Sequence, residues 1–472
     1  MHDLLNSQPI FGKVRHLHLV GIGGIGMSSI AEVLLEWGFR ISGSDMQASE
    51  ITADLEDRGA TIYIGHQAEN IAGADVVVHT SAVDPQKNAE TAAAVARGIP
   101  VINRAAMLGA LTQRRFGVGI AGTHGKTTTT TLTGHVVRAA RLDPTIIVGG
   151  RVHGFEQRNA VAGKGDIIIV EADEFDRTFL KLHPSLAVIT NIEWEHVDIY
   201  EDLDDTRRAF VEFANKIPFY GAVIACIDDE EVRTILPELT PRVVSYGLNP
   251  EADLCAVQIV DEGFYSRFEV LHHGELLGEI SVKAPGAHNV RNALAAIGVG
   301  LELRIPFEQI ASGLASYSGV YRRFYQRGEV DGVLVVDDYA HHPTEVMATL
   351  VAARRGFSER RLVAVFQPHL FSRTMKFYRQ FAEALTGADQ VVLTDIYPSR
   401  EEPVDGVTGE MIVDEMLALG HSDVHYVPMK EQLTDFLSEL VQPGDLVLTM
   451  GAGDISAIGQ RFVEELMRKN DR

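Results

Sequence analysis

Phe116-Gly117-Val118-Gly119-Ile120-Ala121-Gly122-Thr123-His124-Gly125-Lys126-Thr127-Thr128-Thr129 is the stretch that decides the fold. An apolar run of strand character ends in a short turn bounded by glycines, and Thr127 to Ala140 continues as a helical pattern. Strand, Gly-rich loop and a helix opening on Lys-Thr together make a nucleotide phosphate loop. Backbone N–H groups at a helix N-terminus point at anions, and glycine removes the side chains that would block them. Lys126 then neutralises the transferring phosphates, and Thr127 offers a hydroxyl to Mg²⁺. Gly122, Thr123, His124, Gly125, Lys126, Thr127 and Thr128 are accordingly read as ATP-binding. The loop is shorter than G-x-x-x-x-G-K-[ST], because the preceding glycine is Gly122 rather than residue 120. A Gly-rich turn that happens to hold a lysine is the bland alternative, and the strand, helix and Lys-Thr in register argue against it.

Phosphoryl transfer also needs a metal held by carboxylates at strand ends. Ile167-Ile168-Ile169-Val170-Glu171-Ala172-Asp173-Glu174 places Glu171 where an apolar run stops. Thr190-Asn191-Ile192-Glu193-Trp194-Glu195-His196-Val197-Asp198 closes a second run in carboxylates and an imidazole. Either cluster alone reads as solvated loop charge; two of them after one phosphate loop point to metal binding.

Outward from this centre, the chain of 472 residues is too long for one core and suggests about three domains of ~100–200 residues. Toward the N-terminus, Leu17–Val20, Arg40–Gly43, Asp75–His79 and Ile99–Ile102 alternate with helical patterns up to about Gln113. Such alternation predicts a parallel sheet covered on both faces. A stretch from about Val243 to Val282 reads as short antiparallel strands. A third α/β pattern starts near Gly332–Asp337 and ends on Asp445–Met450. The expected architecture is α/β with three mainly parallel sheets: a Rossmann-like domain at 1–113, a P-loop ATPase-like domain at 114–326 and a second Rossmann-like domain at 327–472.

Gly21-Ile22-Gly23-Gly24-Ile25-Gly26 matches G-x-G-x-x-G between a strand and a helix, and Asp45 follows about twenty residues on, where a ribose would lie. Alone, this describes a dinucleotide site and a nicotinamide-dependent oxidoreductase. The motif reports only a pyrophosphate against a helix N-terminus, however, and UDP-sugars carry one too. The oxidoreductase reading leaves Lys126, Glu171 and the third domain without a role.

The formal net charge of −23 argues against non-specific binding to nucleic acid or an anionic membrane. Cys226 and Cys255 have neither metal-ligand nor framework spacing, as in a cytosolic chain without disulfides. No segment reaches the ~18 unbroken apolar residues that span a bilayer, and Met1–Ser7 lacks the pattern of a signal peptide. A cytoplasmic location is expected.

Together these residues resemble the Mur ligases, the ATP-dependent amide-forming enzymes of peptidoglycan precursor synthesis. The likeness covers nearly the whole chain. It rests on Gly21–Ser28, Ser42-Gly43-Ser44-Asp45, Gly122–Thr129, Glu171–Glu174, Thr190–Glu193, His288-Asn289 with Asn292, Arg322-Arg323-Phe324, and Asp337-Asp338-Tyr339-Ala340-His341-His342-Pro343-Thr344-Glu345. The resemblance implies that Gly21, Gly23, Gly24, Gly26, Ser44 and Asp45 bind the UDP moiety. It implies Thr127, Glu171 and His196 as Mg²⁺ ligands, and Asn289 and Asn292 beside adenine. Arg323 and Asp338 are the implied ATP-side and hinge residues. The implied reaction joins L-alanine to the lactyl carboxylate of UDP-N-acetylmuramate through an acyl phosphate, with Lys126, His341 and Arg373 near the reacting groups. A monomer or weak homodimer is expected. His341 is a candidate general base, since imidazole titrates near neutral pH. Orientation of a turn before Pro343 accounts for His341 and His342 equally well.

Three departures from the family pattern stand out. A carbamylated lysine, found in several members about fifteen residues after the metal histidine, would fall at Val211, so none is assigned. The common run Gln-Pro-His-Arg is here Gln367-Pro368-His369-Leu370, with Arg373 the nearby cation. Trp194-Glu195 replaces the usual small-acidic pair. A relative that recycles a whole tripeptide is the alternative within the family; its glycine run carries Cys and Phe at positions that this chain does not share.

Overall fold

Three sheets carry the chain in a computed structural model that describes residues 11–149, 160–195 and 199–470. The first holds β1 (His16–Val20), β2 (Arg40–Asp45), β3 (Thr61–Ile64), β4 (Val76–His79) and β5 (Val101–Asn103), all parallel, in the order β3-β2-β1-β4-β5. The order reverses beside β1, which is where an open α/β sheet leaves a crevice for a ligand. The glycine run leaves the C-terminal end of β1 at that point and feeds the helix Ile25–Glu36.

Ten strands form the second sheet, the first seven being β6 (Phe116–Ala121), β7 (Thr145–Ile147), β8 (Ala160–Val161), β9 (Ile167–Glu171), β10 (Leu186–Ile189), β11 (Ala222–Cys226) and β12 (Val243–Gly247). The order of these seven is β12-β11-β10-β6-β9-β7-β8, with only β8 antiparallel to its neighbour. The strand feeding the phosphate loop therefore lies between β9 and β10. Both acidic clusters singled out in the sequence follow those two flanking strands, so the sheet order brings them to the loop. The expectation of short antiparallel strands from Val243 needs correction. β12 runs parallel to β11, and β13 (Leu254–Glu262), β14 (Tyr265–His272) and β15 (Glu275–Val282) are eight or nine residues long. The apolar half of β12 pairs like a buried parallel strand, whereas the polar alternation of β13 to β15 suggested edges and turns.

The third sheet holds β16 (Tyr325–Val330), β17 (Val333–Asp338), β18 (Arg361–Phe366), β19 (Gln390–Leu393), β20 (Val424–Tyr426) and β21 (Asp445–Met450). Its order is β16-β17-β21-β18-β19-β20, and β16 alone is antiparallel. β17 and β21 are buried along their whole length, as near-continuous apolar strands between helical layers should be.

The chain divides into two compact units. One comprises Met1–Ala256, Val270–Gly278 and Arg291–Tyr317, and the other Val257–Glu269, Glu279–Val290 and Ser318–Arg472. The first sheet and strands β6 to β12 of the second share a unit because their apolar core is continuous, from Leu17 and Leu34 to Phe179, Phe210 and Phe213. Phe179 stacks on Phe213 at 5.0 Å between centroids and meets Phe210 edge-on at 5.2 Å. Each such ring contributes about 1.5–3 kcal/mol by burial. The helix Arg104–Arg114 sits directly on the turn Phe175–Lys181: a Cβ on Gly109 would lie 2.2 Å from the Lys181 carbonyl oxygen. Cys226 and Cys255 are both buried free thiols. Among the described residues no helix is long and apolar enough to cross a membrane.

Candidate active site

The helix Lys126–Ala139 opens directly on the loop, and Gly125 caps it with φ +82°, a left-handed conformation that costs glycine nothing. A Cβ there would lie 2.5 Å from Asn292 Oδ1, and one on Gly122 (φ +138°) would lie 1.9 Å from Thr190 Oγ1. Both glycines are thus demanded by conformation and by close approach. Thr190 and Asn191, at the end of β10, brace the loop: Thr190 Oγ1 donates to the His124 carbonyl at 2.6 Å, and Asn191 Oδ1 accepts from the His124 N–H at 2.8 Å. The Thr123 hydroxyl accepts from Glu193 N at 2.8 Å, which makes Thr123 a brace as well. Thr128 is buried. Asn292 accepts from Thr129 Oγ1 at 3.2 Å and so belongs to the loop surroundings, while Asn289 donates to the Pro285 carbonyl at 2.8 Å.

Carboxylates from β9 meet the loop. The Thr127 hydroxyl reaches Glu171 Oε1 at 3.1 Å and Oε2 at 3.0 Å, and Gly149 N donates to Oε2 at 2.8 Å. Burial pushes the Glu171 carboxyl above its ordinary range, against the Gly149 N–H and the Lys126 charge. Lys126 Nζ reaches Glu174 at 2.7 Å, and the Glu174 side chain is almost fully buried. Burial works against the ammonium, but Glu174, Asp173 and Glu171 together outweigh it and hold Lys126 above the usual lysine range. A hydroxyl and a half-buried carboxylate beside a phosphate loop are a donor set that suits a hard divalent cation. His196, the third expected ligand, lies outside the described residues.

At the N-terminal glycines the backbone is already shaped by strand β2. Ser44 O accepts from Gly21 N at 2.8 Å and Ile22 N at 3.0 Å, and Asp45 Oδ2 accepts from Gly23 N at 2.9 Å. Gly24 is the N-cap of the following helix. The Ser44 side chain is not turned to this loop: it is fully buried and donates to Glu90 Oε2 at 2.6 Å. Glu90 also accepts from Asn70 at 2.6 Å and lies 3.6 Å from His18 and 3.2 Å from His66. Burial opposes its charge, but these hydrogen bonds hold the Glu90 carboxyl below the usual range. Sequence reading missed Arg104. A Cβ on Gly26 would lie 2.8 Å from Arg104 Nη1, so glycine at 26 is what lets a guanidinium lie against the start of this helix. Arg104 follows β5 directly, and only the sheet order brings β5 near β1.

In the other unit, the expected residues gather at the C-terminal end of the third sheet. Asp338, the last residue of β17, accepts from Phe324 N at 2.7 Å and Ala340 N at 2.8 Å. Burial raises its carboxyl to about 6, against Arg323 and those two N–H groups. The Arg323 guanidinium packs on the Tyr339 ring at 5.2 Å and faces Glu345 at 3.6 Å. Glu345, quoted in the motif but given no role, also accepts from His341 N at 3.0 Å and lies 3.2 Å from His341 Nδ1. The ring nitrogen Nδ1 is 3.0 Å from the Tyr339 carbonyl as well. Arg373 Nη1 stands 3.4 Å from His369 Nδ1, and His369 stacks on Tyr397 at 5.8 Å. Burial, then the His341 and Arg373 charges, push His369 down to about 4. Leu370, in place of the common arginine, opens the next helix with φ +69°.

Three parts of one family match these three regions in order. The "Mur ligase family, catalytic domain" matches residues 16–116, the "Mur ligase middle domain" residues 120–300, and the "Mur ligase, glutamate ligase domain" residues 322–453. The chain belongs to the Mur ligase family. Its full-length relatives narrow the comparison. The UDP-N-acetylmuramate–L-alanine ligase of Salinibacter ruber is 54% identical over 462 residues, 98% of this chain and 97% of that protein. The ligase of the same name from a Geobacter species is 48% identical over 97% of this chain and 99% of that protein. Among solved structures, the UDP-N-acetylmuramate–alanine ligase of Thermotoga maritima aligns at a TM-score of 0.79 with 31% identity, over 96% of this chain and 99% of that one. A murein peptide ligase of Psychrobacter arcticus aligns at 0.66 with 25% identity, over 96% and 98%.

Proposed function

We propose that this chain is an ATP-dependent ligase that joins L-alanine to the lactyl carboxylate of UDP-N-acetylmuramate, in the cytoplasm, during peptidoglycan precursor synthesis. The observation that carries the reading is the loop at Lys126 and Thr127, set between the carboxylates of β9 and the braces of β10, in a chain similar end to end to L-alanine-adding ligases. The tripeptide-recycling alternative is supported only by more distant similarity, and a nicotinamide-dependent oxidoreductase has no use for this loop.

A carboxylate is a poor electrophile. One lactyl oxygen attacks the γ-phosphorus of ATP, ADP leaves, and an acyl phosphate results. The alanine amine then attacks the acyl carbon, and the tetrahedral adduct collapses to amide and inorganic phosphate. Lys126 and the loop N–H groups hold the phosphates and offset the charge that develops on them. Thr127 and Glu171 would hold Mg²⁺, with His196 as a further ligand, and the ion supplies charge neutralisation at the phosphate oxygens. The UDP moiety takes the Gly21–Gly26 loop, with Arg104 added to the expected set as a cation for the pyrophosphate. Ser44 and Asp45 act there by shaping the loop, Ser44 through its carbonyl oxygen.

His341 is the base that takes the amine proton in this proposal. With Nδ1 against the Tyr339 carbonyl and Glu345, the proton sits on Nδ1 and leaves Nε2 as the acceptor. Arg373 supplies positive charge near the amino acid, and neutral His369 at its side does not compete with it.

The mechanism fixes the fate of one oxygen atom. With UDP-N-acetylmuramate labelled with ¹⁸O in the lactyl carboxylate, one label per turnover passes to inorganic phosphate. Phosphate free of label, with amide formed, would exclude the acyl phosphate.

A further inference from the structure

Lys126 is already saturated by the protein. Its ammonium has three N–H donors, and four oxygens lie within reach: the Gly122 carbonyl at 2.7 Å, the Thr123 carbonyl at 3.0 Å, and Glu174 Oε1 and Oε2 at 2.9 and 2.7 Å. A phosphate cannot be added to this set; it must displace a member. The two carbonyls belong to the loop itself and travel with Lys126. Glu174 comes from the segment just after β9 and is, of these partners, the one that shares the charge of a phosphate.

Glu174 is held through its backbone as well. Its carbonyl accepts from the buried Tyr200 hydroxyl at 2.7 Å. The turn that follows puts Asp176 and Arg177 at φ +54° each, a left-handed pair in residues with side chains. Two such residues in succession are costly. Glu174 is 2% exposed, and Asp173 and Glu171 act on the same ammonium. Separating Lys126 from Glu174 removes the cation that faces this buried carboxylate, and that cost falls on whatever does the separating.

We infer that Glu174 is a stand-in for the nucleotide phosphate on Lys126, a positioning residue that keeps the lysine aimed into the loop and competes with ATP for it. This rests on reading Gly122–Thr127 as the phosphate site. Its consequence has an unusual sign: removing the Glu174 charge weakens the ligand-free protein yet tightens nucleotide binding. A merely structural role for Glu174 would weaken both.

The test is calorimetric titration of the full-length protein with ADP in the presence of a chelator, together with thermal unfolding without nucleotide. Glu174→Gln keeps the length and the backbone contact to Tyr200 but loses the charge, and should bind ADP about tenfold more tightly, the worth of one charge-assisted contact. Its unfolding midpoint without nucleotide should fall. Glu174→Asp keeps the charge and should bind within about threefold of the parent. Equal or weaker binding by the Gln variant overturns the inference, as does equal tightening in the Asp variant. Failure of the parent protein to bind ADP at all would instead overturn the phosphate-loop reading beneath it.

Discussion

The Thr127 hydroxyl lies 3.0 and 3.1 Å from the two oxygens of Glu171, joining the first turn of a helix to the end of the neighbouring strand. Glu171 is half-buried, and its charge is opposed by loss of solvent and by Asp173. A cation that takes the place of the hydroxyl proton relieves that opposition. Glu171→Gln should therefore lower turnover at least about a hundredfold while leaving UDP-sugar affinity within a factor of about two. Phosphate release as a function of Mg²⁺ concentration, beside titration with UDP-N-acetylmuramate, measures the two effects. A variant with the parent's Mg²⁺ dependence would remove Glu171 from the metal site.

Arg104 and Gly26 make a paired prediction. Arg104→Ala should raise KM for UDP-N-acetylmuramate about tenfold with kcat nearly unchanged, the pattern of a lost binding contact. Gly26→Ala should act in the same direction, because its methyl would occupy the position 2.8 Å from the guanidinium. Steady-state kinetics at two ionic strengths checks this: the parent's KM rises with salt and that of Arg104→Ala responds less.

These two cases mark how far the sequence could be read. The phosphate loop, the glycine run and the strands β6, β9, β10, β17 and β21 were legible because apolar period and glycine placement are local properties. Glu171 was legible because it ends an apolar run. Arg104 was not, since its role depends on β5 lying beside β4 and on a missing Cβ at position 26, neither of which leaves a local trace. Ser44 was legible as part of the site but not in its manner of acting: the alternation of β2 turns its side chain inward to Glu90 and leaves only its carbonyl for the loop. β12 was misread because a short half-apolar strand looks the same whether its neighbour runs parallel or antiparallel.

The His341–Glu345 contact predicts a positioning effect. Glu345 accepts from His341 N at 3.0 Å and lies 3.2 Å from Nδ1, so Glu345→Gln should lower kcat about tenfold with KM for L-alanine within about twofold. His341→Ala should lower kcat about a hundredfold or more. Steady-state kinetics with both variants reads this; unchanged kcat in His341→Ala would assign His341 to holding the turn before Pro343 instead.

Asp338 contributes a pH dependence of stability with a definite sign. Its folded pKa of about 6 lies above the ordinary carboxylate value of 3.8. Between the two the folded state holds more protons than the unfolded state, so stability from this group falls as pH rises through that window. The full effect is about 3 kcal/mol at most. Asp338→Asn loses acceptor capacity for Phe324 N and Ala340 N and should be less stable than the parent at pH 4.5, with the deficit narrowing by pH 7. Urea unfolding at the two pH values reads this; a deficit that widens with pH would contradict it.

On the proposed mechanism, the nucleotide held at Gly122–Thr127 activates a sugar-linked carboxylate for attack by L-alanine. The most direct measurement is phosphate release from ATP and Mg²⁺ with UDP-N-acetylmuramate and either L-alanine or the tripeptide, for the parent and Lys126→Ala. L-alanine should give release and amide formation, both abolished in Lys126→Ala, whose UDP-sugar binding should be retained. Release with the tripeptide but not with L-alanine, or unchanged turnover in Lys126→Ala, would contradict this mechanism.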